Sequence, residues 1–201
     1  MTKIPSVNTL VPAIQHGALV VYPTDTLYAL GASVFHQRAI AKVFSLKLRP
    51  LDMPLPIAVS SLEQLDGLVA ISSIGLLLAN HFLPGPLTLI VKNQSIPSMV
   101  TGGKETIAIR MPNDPVALEL LERVGPLTVT SANIHGYPTP STVDEIRNMF
   151  KSEYIALYID DGVREGNPST IIDVTSERPM ILRSGKITEK QIEEVVADKN
   201  A

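Results

Sequence analysis

The chain has 201 residues, 45% of them hydrophobic, enough to bury a substantial core in one domain of ordinary size. Its 17 basic and 20 acidic residues leave a formal net charge of −3, which argues against bulk electrostatic binding of nucleic acid while leaving room for a local basic cleft. The absence of cysteine excludes disulfides, thiolate zinc sites and cysteine nucleophiles, and it suits a reducing compartment, so a cytoplasmic location is expected.

No repeat, low-complexity segment or long charge run divides the sequence, and residues 1–201 read as a single unit. The first 14 residues lack the apolar core and cleavage pattern of a secretory signal. The most apolar run, residues 74–78, is closed by Pro84 and falls far short of the ~20 residues that cross a bilayer, so no membrane contact is expected.

Residues 8–16 carry Leu10, Val11 and Ile14 at helical spacing and stop at Gly17; residues 18–22 read as a buried strand, followed by the turn Pro23-Thr24-Asp25-Thr26. Residues 37–46 set Ile40, Val43 and Phe44 on one helical face and Arg38 and Lys42 on another, then run into Lys47-Leu48-Arg49-Pro50. Pro50, Pro54 and Pro56 forbid further helix and stiffen the loop before a strand at 57–59. Helices are predicted at 61–69 and 72–82, and strands at 87–91 and 106–111. Asp114 caps a helix whose first position is Pro115 and which ends at Gly125. A strand at 127–130 leads into Ser131-Ala132-Asn133, and Ser141 opens a helix to Phe150. Strands follow at 155–159, 170–174 and 180–183. The last two form a hairpin because the link at 176–179 is too short for a parallel crossover. The capping box Thr188-x-x-Gln191 opens the final helix. The alternation specifies an α/β domain with a twisted, open, mixed sheet, parallel and antiparallel, flanked by helices.

Three polar groups, Thr24 to Thr26, Arg110 and Ser131 to Asn133, fall at or near C-terminal strand ends, where open α/β sheets bind ligands. Lys47 and Arg49 suit phosphates, as a point charge and a planar fork. On charge alone the stronger reading is a solvated helix end complementing the dipole; the stiff proline loop behind them shifts the balance toward a ligand. Ser131 and Asn133 suit phosphate or ribose oxygens and serve turn chemistry about equally well. For Ser169 and Arg183 a turn serine and a surface arginine are locally the stronger reading. Thr101-Gly102-Gly103-Lys104 lacks phosphate-loop spacing, and there is no G-x-G-x-x-G or G-x-S-x-G. His16, His36, His81 and His135 are scattered without metal-ligand spacing, so no protein metal site is expected.

Seven segments in order, Tyr22-Pro-Thr-Asp-Thr26, Lys47-x-Arg49-Pro50, Pro84-Gly-Pro-Leu-Thr88, Ala108-Ile-Arg-Met-Pro112, Ser131-Ala-Asn133, Pro168-Ser-Thr170 and Leu182-Arg-x-Gly185, resemble the YrdC family of threonylcarbamoyl-adenylate synthases over nearly the whole chain. The resemblance implies a YrdC-like fold. It also implies a nucleotidyltransferase that joins L-threonine, bicarbonate and ATP, the latter with Mg²⁺, into threonylcarbamoyl-adenylate and pyrophosphate. The product would pass to a threonylcarbamoyl-transferase complex that modifies tRNA. Carried over by position, Thr26, Ala58, Arg110, Val129 and Ser169 correspond to the threonine side. Lys47, Arg49, Met53, Thr106, Ser131, Asn133, Thr139 and Arg183 correspond to the ATP side, with Lys47 and Arg49 in the catalytic role. Ala29 stands where the family usually has glycine, Met53 where a polar residue is common, and Ala58 where archaeal-type sequences carry histidine. The sequence ends soon after Arg183, so the extra C-terminal domain of longer members is expected to be absent. The competing reading is an RNA-binding module, with Arg38, Lys42, Lys47 and Arg49 as a basic strip and direct tRNA contact. Carbamoyl-adenylate chemistry, as in hydrogenase-maturation relatives, is disfavoured because their zinc-finger and acylphosphatase portions are missing.

Overall fold

The computed structural model describes residues 7–198; the first residues weighed above as a signal segment, 1–6, lie outside that range. In chain order the elements are α1 (Val7–Gln15), β1 (Leu19–Tyr22), β2 (Ala29–Gly31), α2 (Gln37–Lys47), β3 (Ile57–Ala58), a 3₁₀ turn (Leu62–Leu65), β4 (Val69–Ala70), α3 (Ser73–Phe82), β5 (Leu87–Asn93) and the short α4 (Ser98–Thr101). They continue with β6 (Thr106–Arg110), α5 (Pro115–Val124), β7 (Leu127–Thr128), β8 (Thr130–Ser131), α6 (Val143–Phe150), β9 (Ile155–Tyr158), β10 (Thr170–Asp173), β11 (Met180–Arg183) and α7 (Glu189–Asp198).

Helix ends follow the local chemistry of the sequence. Asp114 Oδ1 accepts from the Val116 and Ala117 amides at 3.0 and 2.9 Å, and Pro115 at the first position has no amide to leave unpaired. Thr188 and Gln191 satisfy each other's backbone amides at the start of α7, with Thr188 N to Gln191 Oε1 at 2.9 Å. α6 starts one position later than expected, because Thr142 and not Ser141 forms the capping box with Glu145. The helix expected at 61–69 is only the 3₁₀ turn followed by β4. Gly67 adopts φ +71° and turns the chain before a second helical turn can form, and Val69 pairs with Asn93 instead.

The strands form two sheets where one was expected. The smaller has the order β8-β2-β1-β9, and the larger β11-β10-β5-β6-β3-β7, with β4 on β5. Both are open and mixed: β1 and β9 run parallel beside the antiparallel β1–β2 pair, and β5 pairs parallel with β10 and antiparallel with β6. The β10–β11 hairpin is antiparallel, as the short link requires. The strand expected at 127–130 is broken at Val129, where the chain leaves the larger sheet as β7 and joins the smaller as β8. Thr128, fully buried, secures this switch: its hydroxyl donates to Leu30 O at 3.1 Å and accepts from Ala32 N at 3.0 Å.

Most of the core is aliphatic, with Leu19, Val21, Leu30, Ile40, Val43, Leu55, Ile57, Leu89 and Ile109 packed in one cluster between sheet and helices. A second cluster joins α1 to α5 through Leu10, Ile14, Ala117, Leu120 and Leu121, over Val20, Tyr22 and Ala58. Burying these side chains gives about 1.5–3 kcal/mol each for the larger ones. The two clusters hold the sheets with their strand ends facing a common cleft.

Candidate functional site

That cleft has a volume of about 370 Å³. Thr24, Thr26 and Tyr28 reach it from the segment after β1, Thr88 from β5, and Arg110 from the end of β6. Val129 and Ser131 come from the sheet switch, Ser169 and Arg183 from either side of the β10–β11 hairpin, and Arg49 and Thr139 from loops. Apart from Arg49 and Thr139, these residues, far apart in sequence, converge because they sit at or beside strand ends.

Thr24 and Thr26 face one another with their hydroxyls 3.0 Å apart, and Thr24 Oγ1 also donates to Leu27 O at 2.6 Å. Arg110 Nη2 donates to Asp25 Oδ1 at 2.6 Å, tying this loop to β6. Arg164 ties it a second time, donating to Thr24 O at 3.3 Å while paired with Asp114 Oδ2 at 3.0 Å and with Asp161. Ser169 Oγ lies 2.7 Å from Thr88 Oγ1 and accepts from Arg183 Nη2 at 3.2 Å. Gly185 lets the chain after β11 pass against Pro168–Thr170, where any Cβ would lie 2.4 Å from Thr170 N.

Lys47 departs from the picture of a solvated helix end. It is 1% exposed, and its ammonium donates to Ser131 O, to Asn133 O at 2.7 Å and to Asn133 Oδ1 at 2.9 Å, which uses all three of its hydrogens. Burial, reinforced by the Arg49 charge, pushes its pKa down to about 7. Asn133 is equally committed: Oδ1 also accepts from Ser131 Oγ at 2.7 Å, and Nδ2 donates to Tyr137 O. Of the eight residues placed on the ATP side, Arg49, Ser131, Thr139 and Arg183 line the cleft, while Lys47 and Asn133 form a knot behind Ser131.

Arg49 donates to Pro54 O at 2.8 Å and weakly to Met53 O; Met53 itself does not line the cleft and serves only to hold Arg49. Burial lowers the Arg49 guanidinium pKa from its ordinary value, and at Arg183 the Arg110 charge adds to the same effect. Val129 donates its N–H to Pro56 O at 2.8 Å and lines the cleft at the point where the chain changes sheets. Ala58 pairs with Arg110 across β3–β6 but is fully buried in the second core cluster and does not line the cleft. Thr106 begins β6, about 13 Å along the strand from Arg110, and does not line it either.

Tyr28 and Thr88 also line the cleft and were not assigned to it from sequence, while Asp25, from the Thr24–Thr26 group, and Arg164 support its lining through Arg110 and Thr24. Tyr28 donates to Gly162 O at 2.7 Å and accepts from Asp161 N at 2.9 Å, fastening the segment before Ser169 to the cleft wall. Thr88 closes one of the seven ordered segments, the signal that could have marked it. Arg164 has no comparable signal.

The basic strip loses its centre. Lys47 is buried, and Lys42 Nζ donates to Gly17 O at 3.1 Å beneath the Tyr154 ring. Among the described residues no helix is long and apolar enough to cross a membrane, and no group of three His, Asp or Glu side chains could hold a metal ion.

A family model described as Telomere recombination, the Sua5–YciO–YrdC family, matches residues 12–185. The chain is 40% identical over 189 residues to the threonylcarbamoyl-AMP synthase of Pyrococcus abyssi, covering 92% of this chain and 55% of that protein. It is 34% identical over 208 residues to the threonylcarbamoyl-AMP synthase of Bacillus subtilis, covering 97% of this chain and 58% of that one. The chain thus spans somewhat more than half the length of these two relatives. The crystal structure of P. abyssi Sua5 complexed with L-threonine superposes with a TM-score of 0.88 at 38% identity, covering 94% of this chain and 57% of that one.

Proposed function

Since the chain belongs to the Sua5–YciO–YrdC family, we propose that it is a threonylcarbamoyl-AMP synthase, using L-threonine, bicarbonate and ATP and releasing pyrophosphate. The observation that carries this reading is one cleft lined by three arginines, Arg49, Arg110 and Arg183, and by the hydroxyls of Thr26, Thr88, Ser131 and Ser169. It can hold a carboxylate and a polyphosphate together.

In the reaction, the deprotonated threonine amine attacks the bicarbonate carbon and water leaves. A carbamate oxygen then attacks the α-phosphorus as the bond to the bridging oxygen breaks, and pyrophosphate departs. Like charges meet in that step, so the protein's work is positioning and charge neutralisation. Arg110, Thr26, Ser169 and the Val129 carbonyl serve the amino acid. Arg49, Arg183, Ser131 and Thr139 serve the phosphates, and Lys47 with Asn133 holds Ser131 in place. Mg²⁺ enters as MgATP, held mainly by phosphate oxygens and water, which suits a cleft with hydroxyls and no carboxylate cage.

The product is a mixed anhydride that needs an acceptor, and a threonylcarbamoyl-transferase complex acting on tRNA is the proposed consumer. A cytoplasmic setting goes with that role and with the cysteine-free chain. Pyrophosphate release measured with ATP and bicarbonate across a panel of amino acids tests the reading. Release should require threonine, and release independent of the amino acid would end it.

A further inference from the structure

Only one of the three cleft arginines has a carboxylate partner among the described residues. Arg110 Nη2 donates to Asp25 Oδ1 at 2.6 Å, with side-chain exposures of 9% and 13%. Arg49 donates only to the carbonyls of Met53 and Pro54, and Arg183 only to the carbonyl and hydroxyl of Ser169. The Asp25–Arg110 pair also joins the two sheets beside the cleft, since Asp25 follows β1 of the smaller sheet and Arg110, which lines the cleft, ends β6 of the larger. Lys186 reaches Asp25 from the solvent side, at 3.4 Å from its carbonyl, and Arg164 is engaged with Asp114 and Asp161.

This arrangement gives the cleft two unlike ends. A polyanion meets uncompensated positive charge at Arg49 and Arg183. At Arg110 it would also meet the Asp25 carboxylate, and that repulsion grows with each negative charge the ligand carries. An amino-acid zwitterion brings its own ammonium beside its carboxylate and meets no such net repulsion. We propose that Asp25 is a specificity-determining residue: its carboxylate reserves Arg110 for the α-carboxylate of a zwitterionic amino acid and keeps nucleotide phosphates and pyrophosphate at the Arg49–Arg183 end. The proposal rests on reading the cleft as a joint amino-acid and nucleotide site.

Calorimetric titrations of the whole chain with L-threonine and with inorganic pyrophosphate, singly and in competition at fixed ionic strength, test it. In the unaltered protein the two ligands bind side by side, and mutual displacement there overturns the proposal without any variant. Asp25→Asn keeps an oxygen able to accept from Arg110 and removes only the charge. It should bind pyrophosphate at least tenfold more tightly and let pyrophosphate displace threonine, while Asp25→Glu behaves as the unaltered protein. A folded Asp25→Asn that binds threonine but shows unchanged pyrophosphate affinity, or tighter pyrophosphate without displacement, overturns it. If the unaltered protein binds no threonine, the reading beneath the proposal fails and takes the proposal with it.

Discussion

The Lys47 ammonium lies 2.7 Å from the Asn133 carbonyl and 2.9 Å from its side-chain oxygen, buried where the end of α2 meets the loop after β8. A cation with three protein acceptors is a tether first. Lys47→Met should therefore strand three oxygens and cost about 2–3 kcal/mol of stability. For a chain of this length that lowers Tm by about 5–10 °C. An unchanged Tm would return Lys47 to the role of a free phosphate ligand.

The same burial makes the site sensitive to pH. With a folded-state pKa of about 7, well below the ordinary lysine value, Lys47 is protonated in the folded protein only toward acid. The unfolded chain binds the extra proton between pH 7 and the ordinary lysine pKa. This group's contribution to stability therefore rises with pH across that window. Function runs the other way: the positive field behind Ser131 fades above pH 7, so kcat/KM for ATP should fall as pH rises through about 7. Lys47→Arg should move that limb to higher pH, and an identical profile in the variant would assign the limb to another group.

Arg49 is a different kind of residue, half-buried on the cleft wall and bonded to two carbonyls of its own loop. Arg49→Ala should leave the melting temperature within about 2 °C, since surface changes away from the core move stability by about 0.5 kcal/mol. Turnover should fall by roughly 10²–10³, the usual consequence of removing a preorganised donor to developing charge. Near-normal turnover would remove Arg49 from the phosphate path.

Asp114 carries two loads, capping α5 through Oδ1 and holding Arg164 through Oδ2 at 3.0 Å. Asp114→Ala loses the cap, worth about 1 kcal/mol, and leaves Arg164 with Asp161 in place of two carboxylates. Because Arg164 also holds Thr24 O, the half-saturating threonine concentration should rise severalfold more than that of ATP. Equal changes for both substrates would mean that the loss is one of general stability.

How much of this was legible in sequence depended on whether the signal was local. Asp114-Pro115 and Thr188-x-x-Gln191 mark helix starts through bonds spanning two or three residues, and both caps are present. Thr26, Arg110 and Ser169 converge because strand ends share an edge. Lys47 could not be read this way: its acceptors lie 84 and 86 positions away, and a charged residue at a helix end looks the same solvated or buried. The break at Val129 was hidden for a similar reason, since one apolar-alternating run serves two sheets as well as one. β2, three residues long, is too short to show a period.

The decisive measurement is a single-turnover reaction with ATP, threonine and isotopically labelled bicarbonate, followed by separation of free nucleotides from protein. The label should appear with threonine and AMP in one free product, stoichiometric with pyrophosphate, and none should remain on the chain. Label or AMP covalently attached to the protein, or pyrophosphate formed without labelled product, would refute direct adenylylation of N-carboxylated threonine in this cleft.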